Sequence, residues 1–187
     1  MAATDPFRRT TPRRLAIGIA FLGALLGVPS AASQGDELSV RAAYLFNLTK
    51  YVNWPPSQAR IVIGVLGDNA TTEAFRQILQ NKTTDGRPIE VLIHPTDADL
   101  RRCDVVYFDR TEPTTAEQLQ EKLDDQPCLT VGESERFVRE GGMVGLVRSG
   151  DQIQILINLD ATQKRGMALS SRLMSLAVLV RSAGRSR

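Results

Sequence analysis

The chain has 187 residues, of which 42% are hydrophobic and 24% charged, and its formal net charge is +2. This length suits one domain with a full hydrophobic core and is too short for two. The near balance of 23 basic and 21 acidic residues excludes the strongly basic surface that is typical of nucleic-acid-binding proteins.

Residues 1–33 have the pattern of a secretory signal peptide. Four arginines precede the apolar segment 15–28, and small residues follow it. A membrane anchor is the alternative, but fourteen apolar residues are short for a bilayer core of about 30 Å. Arg13 and Arg14 leave the twin-arginine export route open beside the general one. We expect cleavage, which leaves residues 34–187 as one domain with 19 basic and 20 acidic residues.

The next segment predicts an amphipathic helix that ends before Pro55. At about 100° per residue, one apolar stripe comprises Val40, Tyr44, Leu48 and Tyr51. Asn47 falls within this stripe, so we expect its amide to be buried and bonded to a neighbouring backbone group. On the other side, Phe46 and Lys50 are predicted to be exposed and are candidate contacts for another protein.

The middle of the chain predicts an open α/β sheet. Residues 60–68 form a short run rich in β-branched side chains, which is typical of a strand buried on both faces. A helix beginning near Thr72 and a strand at residues 89–93 complete a βαβ unit. Residues 103–108 and 128–131 repeat the strand pattern.

Two further helices are predicted between the later strands. Thr114 and Glu117 have the spacing of a capping box, and Ser134 is a candidate cap for a short helix that ends at Gly141-Gly142. These glycines could also form a phosphate cradle. However, they precede a strand rather than a helix, so we favour a helix end with a close backbone approach.

The last third of the chain predicts a hairpin and a terminal helix. Residues 143–148 and 153–157 alternate in polarity around a Ser-Gly-Asp turn, and Asp160 is the predicted cap of the helix that follows. Its core stripe would contain Leu169, Leu173, Leu176 and Val180. A second apolar stripe, comprising Met167, Met174 and Val178, is either covered by the protein or offered to a partner.

The two cysteines, Cys103 and Cys128, each begin a predicted strand. Parallel neighbouring strands in register would bring them within bridging distance, and an oxidising compartment favours a disulfide over two buried thiols. The only histidine is His94, and the cysteines lack the spacing of a metal-ligand pair. We therefore expect neither a metal nor another cofactor.

No motif predicts catalysis, since the sequence has no Gly-x-Ser-x-Gly elbow and His94 has no evident nucleophile to serve. Polar residues nevertheless follow two predicted parallel strands, at the edge where open α/β sheets bind ligands. A small-molecule site is one interpretation of these residues, and simple helix capping is the other. The residues are Gly67, Asp68, Asn69, Asp109 and Arg110.

Segments along nearly all of residues 34–187 resemble the YfiR family of periplasmic proteins. They lie at 42–55, 63–68, 85–88, 103–105, 129–131 with Phe137, 141–147, 157–160 and 169–173. The resemblance implies a periplasmic regulator that binds the periplasmic domain of an inner-membrane diguanylate cyclase and represses it, lowering cyclic-di-GMP signalling. A periplasmic small-molecule sensor is the alternative function.

Further candidate partners are an outer-membrane lipoprotein and a second copy of the chain. We predict a non-enzymatic α/β protein, with three layers, a mostly parallel central sheet and an antiparallel hairpin at one edge. The residues predicted to bind the partner are Phe46, Lys50, Met167, Met174 and Val178.

Overall fold

A computed structural model describes residues 34–112, 114–123 and 126–182, and the predicted signal peptide lies outside these ranges. No helix in the described part of the chain is long and apolar enough to cross a membrane. Its helices are α1 (Gln34–Thr49), α2 (Asn69–Leu79), α3 (Asp97–Leu100), α4 (Ala116–Lys122), α5 (Glu135–Arg139), α6 (Leu159–Lys164) and α7 (Ser171–Leu176). Its strands are β1 (Ile61–Leu66), β2 (Thr83–Thr84), β3 (Arg87–Ile93), β4 (Val105–Phe108), β5 (Leu129–Gly132), β6 (Val144–Ser149), β7 (Gln152–Asn158) and β8 (Val178–Val180).

The strands form one sheet in the order β2-β3-β1-β4-β5-β6-β7-β8. Strands β3, β1, β4, β5 and β6 are mutually parallel, while β2 pairs with β3, and β6 with β7, in antiparallel fashion. The predicted α/β class and mostly parallel sheet are confirmed. The hairpin β6–β7 is one strand removed from the edge, because β8 pairs in parallel with β7 outside it.

Helices cover both faces of this sheet and give the three layers. On one face, Ile61 and Ile63 of β1 join a buried cluster with Leu45 of α1 and Phe75 of α2. On the other face, the intervening Val62 belongs to a second cluster, with apolar residues of α3, α4 and α5. Alternate residues of one strand thus serve opposite faces, as expected for a sheet buried on both sides.

Helix α1 buries a different face from the predicted one. Its buried apolar residues are Leu38, Ala42, Leu45 and Leu48, whereas Val40 is 46% exposed. The predicted stripe is therefore rotated around the helix axis. Arg41, which is only 3% exposed, lies within the buried face, whereas a hydrophobicity pattern assigns a charged residue to the solvent side.

Asn47 is exposed, so its predicted burial is wrong. Its Oδ1 accepts a hydrogen bond from Nζ of Lys50 at 3.0 Å on the solvent side of α1. Because this contact is exposed, we expect Asn47→Leu to change the free energy of unfolding by no more than about 0.5 kcal/mol. Urea denaturation of the two proteins measures this difference, and a loss of several times that amount would contradict the placement.

The prediction of one continuous terminal helix is also wrong. Asn158, rather than Asp160, caps α6, since its Oδ1 accepts from the backbone N–H of Ala161 at 3.1 Å. After α6 the chain turns at Gly166 and runs beside the end of α1, where Leu169 forms a β-bridge with Val52. The short helix α7 and strand β8 follow, so the predicted core stripe and second stripe do not lie on one helix.

The caps of the two middle helices are largely as predicted. Helix α4 begins one residue late, with a capping box of Thr115 and Gln118 in place of Thr114 and Glu117. Ser134 caps α5 as predicted, its Oγ accepting from the N–H of Phe137 at 3.1 Å. The predicted close approach follows, because a Cβ at Gly142 would lie 2.2 Å from Cε1 of the Phe137 ring.

Candidate functional site

The candidate site lies at the carboxyl edge of the sheet, between β1 and β4. Strand β1 has β3 on one side and β4 on the other, so the direction of the strand order reverses here. Open α/β sheets bind ligands at such switch points. Residues 67–69 follow β1, and residues 109–110 follow β4, so the structure brings the predicted ligand residues to one edge.

Two carboxylates at this edge are held by local hydrogen bonds. Asp68 caps α2, its Oδ1 accepting from the N–H of Thr71 at 2.8 Å, and this bond holds the pKa of Asp68 below its ordinary value. Asp109 is buried, and its Oδ2 accepts from Oγ1 of Thr71 at 2.6 Å and from Oγ1 of Thr111 at 3.1 Å. Both carboxylates therefore have the structural roles that helix capping and turn formation require.

Gly67 allows β1 and β4 to end close together, because a Cβ there would lie 2.7 Å from the Cβ of Asp109. Asn69 and Arg110 are exposed. The cleft at this edge has a volume of about 40 Å³. Small-molecule sites have volumes of about 300–1,000 Å³, so this cleft suits roughly one water molecule in the arrangement described. The ligand role of these residues stays a prediction.

A buried ionic network lies at the same edge of the sheet and lines the cleft there. Arg41 of α1 donates through Nη1 to the carbonyl oxygen of Leu146 at 2.8 Å and through Nη2 to Oε1 of Glu37 at 2.6 Å. Its Nη1 also lies 3.3 Å from Oε2 of Glu133, which follows β5. The hydroxyl of Tyr107, in β4, donates to Oε1 of the same glutamate. This network links α1 to three strands.

Burial and charge shift the pKa values in this network. Burial raises the pKa of Glu133, although the Tyr107 hydroxyl and the Arg41 guanidinium oppose the shift. Burial also raises the pKa of Tyr107, and the neighbouring Glu133 raises it further. For Arg41, burial lowers the pKa, but the hydrogen bond to Glu37 and the charge of Glu133 outweigh burial and raise it. Arg41 and Glu133 therefore form a buried pair in which each charge favours the ionised form of the other.

Sequence reasoning missed this network. Glu133 could have been found, because it follows a predicted parallel strand just as Asp68 and Asp109 do. Arg41 gave no comparable signal, since a charged residue within a helical apolar pattern is ordinarily assigned to the solvent side. Only its partner, far along the chain, explains its burial.

The predicted partner-binding residues fall on separate surfaces. Phe46 is half-buried against the core, with Nζ of Lys50 4.1 Å from its ring centroid and Nζ of Lys82 5.8 Å away. This pair lies toward β2, at one edge of the sheet, whereas Val178 lies in β8 at the opposite edge. Met167 and Met174 are half-buried.

The β8 patch, defined as Leu176, Val178 and Leu179, holds three of the four large exposed hydrophobic residues of the described part of the chain, and the neighbouring Val178 and Leu179 point to opposite faces of the sheet edge. Leu176 is 67% exposed, Val178 44% and Leu179 46%, and only Val40 joins them as a large exposed hydrophobic residue in that part of the chain. Of the predicted residues, Val178 is thus the one that lies in an exposed apolar surface.

Cys103 and Cys128 are buried free thiols. The strands they precede, β4 and β5, are parallel neighbours as predicted, with Val105 opposite Leu129, so the two cysteines are offset by one position. Burial raises the pKa of Cys103 to about 12. The disulfide is not formed in this structure and stays a prediction. Within the described ranges, no cluster of three or more histidine, cysteine or acidic residues could hold a metal.

The fold and this edge define an open α/β domain with a helix packed on one face of its sheet, whose Arg41 reaches the carboxyl edge of the strands. A model of the YfiR/HmsC-like family matches residues 38–178, and the chain belongs to this family. The resemblance seen in the sequence is thereby confirmed.

Two solved structures have similar folds. One is a conserved domain protein from Vibrio cholerae O1 biovar eltor, with 12% identity, a TM-score of 0.54, and coverage of 76% of this chain and 59% of that one. The other is the ABC domain from Streptococcus pneumonia, solved in complex with L-Trp, with 13% identity, a TM-score of 0.53, and coverage of 74% and 60%. At these identities the likeness shows the fold alone, and this chain spans about three fifths of each.

Proposed function

We propose that this protein is a periplasmic regulator that binds the periplasmic domain of a membrane-bound diguanylate cyclase and represses it. Membership of the YfiR/HmsC-like family supports a periplasmic regulator of cyclase signalling at the level of the family. The activity is binding rather than catalysis. Cyclic-di-GMP signalling falls when the regulator is bound.

The observation that carries this proposal is the β8 patch. Strand β8 pairs with β7 on one side, and within the described residues no strand pairs with its other side. An edge strand presents unpaired N–H and C=O groups, and natural proteins usually protect such edges by keeping them short or with lysine, proline or a bulge. Strand β8 is short, with three residues, but two of them, Val178 and Leu179, are exposed apolar side chains. Backbone pairing with a partner strand, combined with apolar contact, is a recurrent mode of protein recognition.

Repression follows from a difference in affinity between two states of the cyclase. A regulator that binds the inactive arrangement of the periplasmic domain more tightly shifts the equilibrium toward that arrangement. A shift from 1:99 to 99:1 needs roughly a 10⁴-fold difference in affinity, which is about 5.5 kcal/mol. An apolar strand edge can supply a difference of this size if only one state of the cyclase offers a complementary strand.

We expect Val178→Lys to weaken capture of the cyclase from solubilised membranes by roughly tenfold or more, equivalent to about 1.4 kcal/mol. Lysine on an edge strand opposes pairing with another strand, and the exposed position should leave folding intact. Cellular cyclic-di-GMP should rise accordingly. Capture and the nucleotide concentration are measured together.

The matched control is Glu121→Lys, an exposed residue of α4 that lies in neither the β8 patch nor the Phe46–Lys50 surface. It should leave both capture and cyclic-di-GMP unchanged. Undiminished capture by a folded Val178→Lys protein would remove the β8 patch from the interface, and no capture by the wild-type protein would contradict the proposed function itself.

The other predicted contacts remain part of this proposal. Met174 precedes the β8 patch and could extend it, while Phe46 and Lys50 would require a second contact surface. The outer-membrane lipoprotein is a further candidate partner. A second copy of the chain competes for the open edge of β8, so the oligomeric state of the purified protein should be measured alongside capture.

A periplasmic small-molecule sensor is the second candidate function. The observation in its favour is the gathering of residues 67–69 and 109–110 at the switch point of the sheet. For the cleft to admit an organic ligand, α1 would have to move away from the carboxyl edge, since the present volume is about 40 Å³.

A further inference from the structure

The end of helix α1 carries a small basic surface around an aromatic ring. We call it the α1-end surface and define it by Phe46, Lys50, Trp54 and Lys82. The whole chain has only four lysines. Two of them, Lys50 and Lys82, are far apart in sequence, yet their Nζ atoms lie 4.1 and 5.8 Å from the centroid of the same Phe46 ring. The fold therefore brings half of the lysines of the chain to one aromatic side chain.

Hydrogen bonds fix the position of this surface before anything binds. Oγ1 of Thr49 donates to the carbonyl oxygen of Phe46 at 2.7 Å, and it lies at hydrogen-bond distance, 2.7 Å, from Oγ1 of Thr84 in β2. The indole N–H of Trp54 donates to the carbonyl oxygen of Thr49 at 2.8 Å. Lys82 directly precedes β2. The last turn of α1, the indole ring and the start of β2 thus form one preorganised unit.

The two lysines are available to an external anion. Both side chains are exposed. In the described part of the chain, neither ammonium group is paired with a carboxylate, and Lys50 donates to the neutral amide oxygen of Asn47 at 3.0 Å. The acidic residue nearest to Lys82 in sequence, Asp85, faces Arg87 at 3.9 Å. The α1-end surface therefore carries two positive charges that this part of the chain does not neutralise.

The residue types of this surface favour a lipid bilayer over an acidic protein segment. Protein carboxylates are bound most specifically by arginine, whose planar guanidinium donates two parallel hydrogen bonds. Lysine is a point charge on a long apolar stem, and such side chains reach lipid phosphates while aromatic rings lie at the level of the headgroups. Phe46 and Trp54 are half-buried against the core, so part of each ring remains for such contact.

We infer that the α1-end surface binds the anionic phospholipid headgroups of the membrane that contains the cyclase. Lys50 and Lys82 face the lipid phosphates, and the rings of Phe46 and Trp54 lie among the headgroups. The surface adjoins β2, whereas the β8 patch lies at the opposite edge of the sheet. One molecule can therefore contact the bilayer through one edge and a protein through the other.

Lipid binding is a property of this chain alone, and only its place in regulation rests on the proposed function. Two lysines hold a protein on a membrane weakly, since each contributes about fivefold in affinity near an anionic surface. A regulator that is already held by a membrane protein, however, meets the bilayer at a high effective concentration. The weak contact then orients the bound regulator and prolongs its stay.

The first test is cosedimentation of the exported protein with phosphatidylcholine vesicles that contain phosphatidylglycerol. The double variant Lys50→Gln/Lys82→Gln should bind about tenfold or more weakly than the wild-type protein, because both lipid-facing charges are lost. The matched control is Lys122→Gln/Lys164→Gln, which removes the other two lysines, both exposed, and changes the net charge by the same amount. It should bind like the wild-type protein. Equal losses in the two double variants would show that net charge alone governs binding, and would overturn the inference.

The second test uses Trp54, the only tryptophan of the chain, as a reporter of the contact. Its fluorescence emission should move to shorter wavelength on addition of the phosphatidylglycerol vesicles, because the indole leaves water. Phosphatidylcholine vesicles without an anionic lipid should give no shift, and 1 M salt should reduce the shift by screening the lysines. Cosedimentation without any change in emission would place the contact on another face, and that result, like an absence of vesicle binding, would overturn the inference.

The inference and the proposed function fail in different ways. Without lipid, Lys50→Gln/Lys82→Gln should bind the purified periplasmic domain of the captured cyclase as tightly as the wild-type protein does, whereas Val178→Lys should not. A loss of this binding in the double variant would assign the α1-end surface to the protein partner, which overturns the lipid inference and leaves the proposed function standing. Vesicle binding through Lys50 and Lys82 by a protein that captures no diguanylate cyclase would support the inference and overturn the proposed function.

Discussion

Arg41→Met is expected to destabilise the protein by about 3–5 kcal/mol, measured as the free energy of unfolding in urea at pH 7. The guanidinium is 3% exposed and the side chain of Glu133 4% exposed, so the substitution leaves a buried carboxylate without its cation. The carbonyl oxygen of Leu146 loses its donor as well. Methionine keeps much of the volume of arginine, so the loss reports the charge and hydrogen bonds rather than a cavity.

Arg148→Met is the matched control, because it replaces the same residue type and removes an ion pair with the same Glu37. Arg148 is 54% exposed, so we expect its replacement to cost no more than about 1 kcal/mol. Glu133→Gln should partly restore the stability of Arg41→Met, because the orphaned charge is then absent. Equal losses for the two arginine variants would show that Arg41 is as solvated as Arg148.

The deficit of Arg41→Met should be smaller in acid. Burial raises the pKa of Glu133 in the folded protein above its unfolded value of about 4.3. The contribution of this shift to stability is fully present below the unfolded pKa and is lost as the pH rises through the folded pKa. Removing Arg41 raises the native pKa further, so the loss at pH 7 grows. Glu37 has an effect in the same direction. Its hydrogen bond to Arg41 lowers its pKa in the folded protein, and this lowered pKa contributes stability only above the pKa of the unfolded state, so Arg41 contributes less through Glu37 in acid. A deficit that grows on acidification would contradict the ion pair.

The parallel strands were predictable because each is a short β-branched run between turn residues. Buried on both faces, β1, β4 and β5 need no alternation, and their composition alone separates them from the longer helices. The meeting of residues 67–69 with 109–110 followed from the same rule, since the carboxyl ends of parallel strands share one edge. Local signals thus determined much of the sheet and of its candidate edge.

Two features depended on partners distant in sequence. Strand β8 follows a short helix without a proline between them, so the apolar run 176–180 continued a helical pattern, and only pairing with Leu156 and Ile157 makes it extended. Arg41 is buried because Glu133 and the carbonyl of Leu146 meet it there. The hydrophobicity pattern along one helix contains neither fact. For this reason the helical phase predicted for α1 was wrong, and so was the predicted burial of Asn47.

Gly142→Ala is expected to destabilise the protein by about 3 kcal/mol, at the upper end of what overpacking usually costs. A Cβ at this position would lie 2.2 Å from Cε1 and 2.3 Å from Cδ1 of Phe137, far inside van der Waals contact. The ring cannot easily move aside. It is 5% exposed, it stacks on Phe108 with centroids 5.4 Å apart, and Gly132 also lies against it, since a Cβ there would be 2.5 Å from Cδ1 of the ring.

Gly150→Ala separates this steric effect from backbone strain. Gly150 has a φ of +62° with no atom within 4 Å of an added Cβ, so alanine there costs only the left-handed conformation, about 1–2 kcal/mol. The φ of Gly142 lies outside the left-handed region, so the loss of stability in Gly142→Ala comes from contact between the added Cβ and the Phe137 ring. Phe137→Leu should therefore relieve Gly142→Ala, so that the double variant loses less stability than the sum of the single ones. Additive losses in urea denaturation would show that Gly142 and the Phe137 ring do not contact, and that the turn between α5 and β6 needs glycine for another reason.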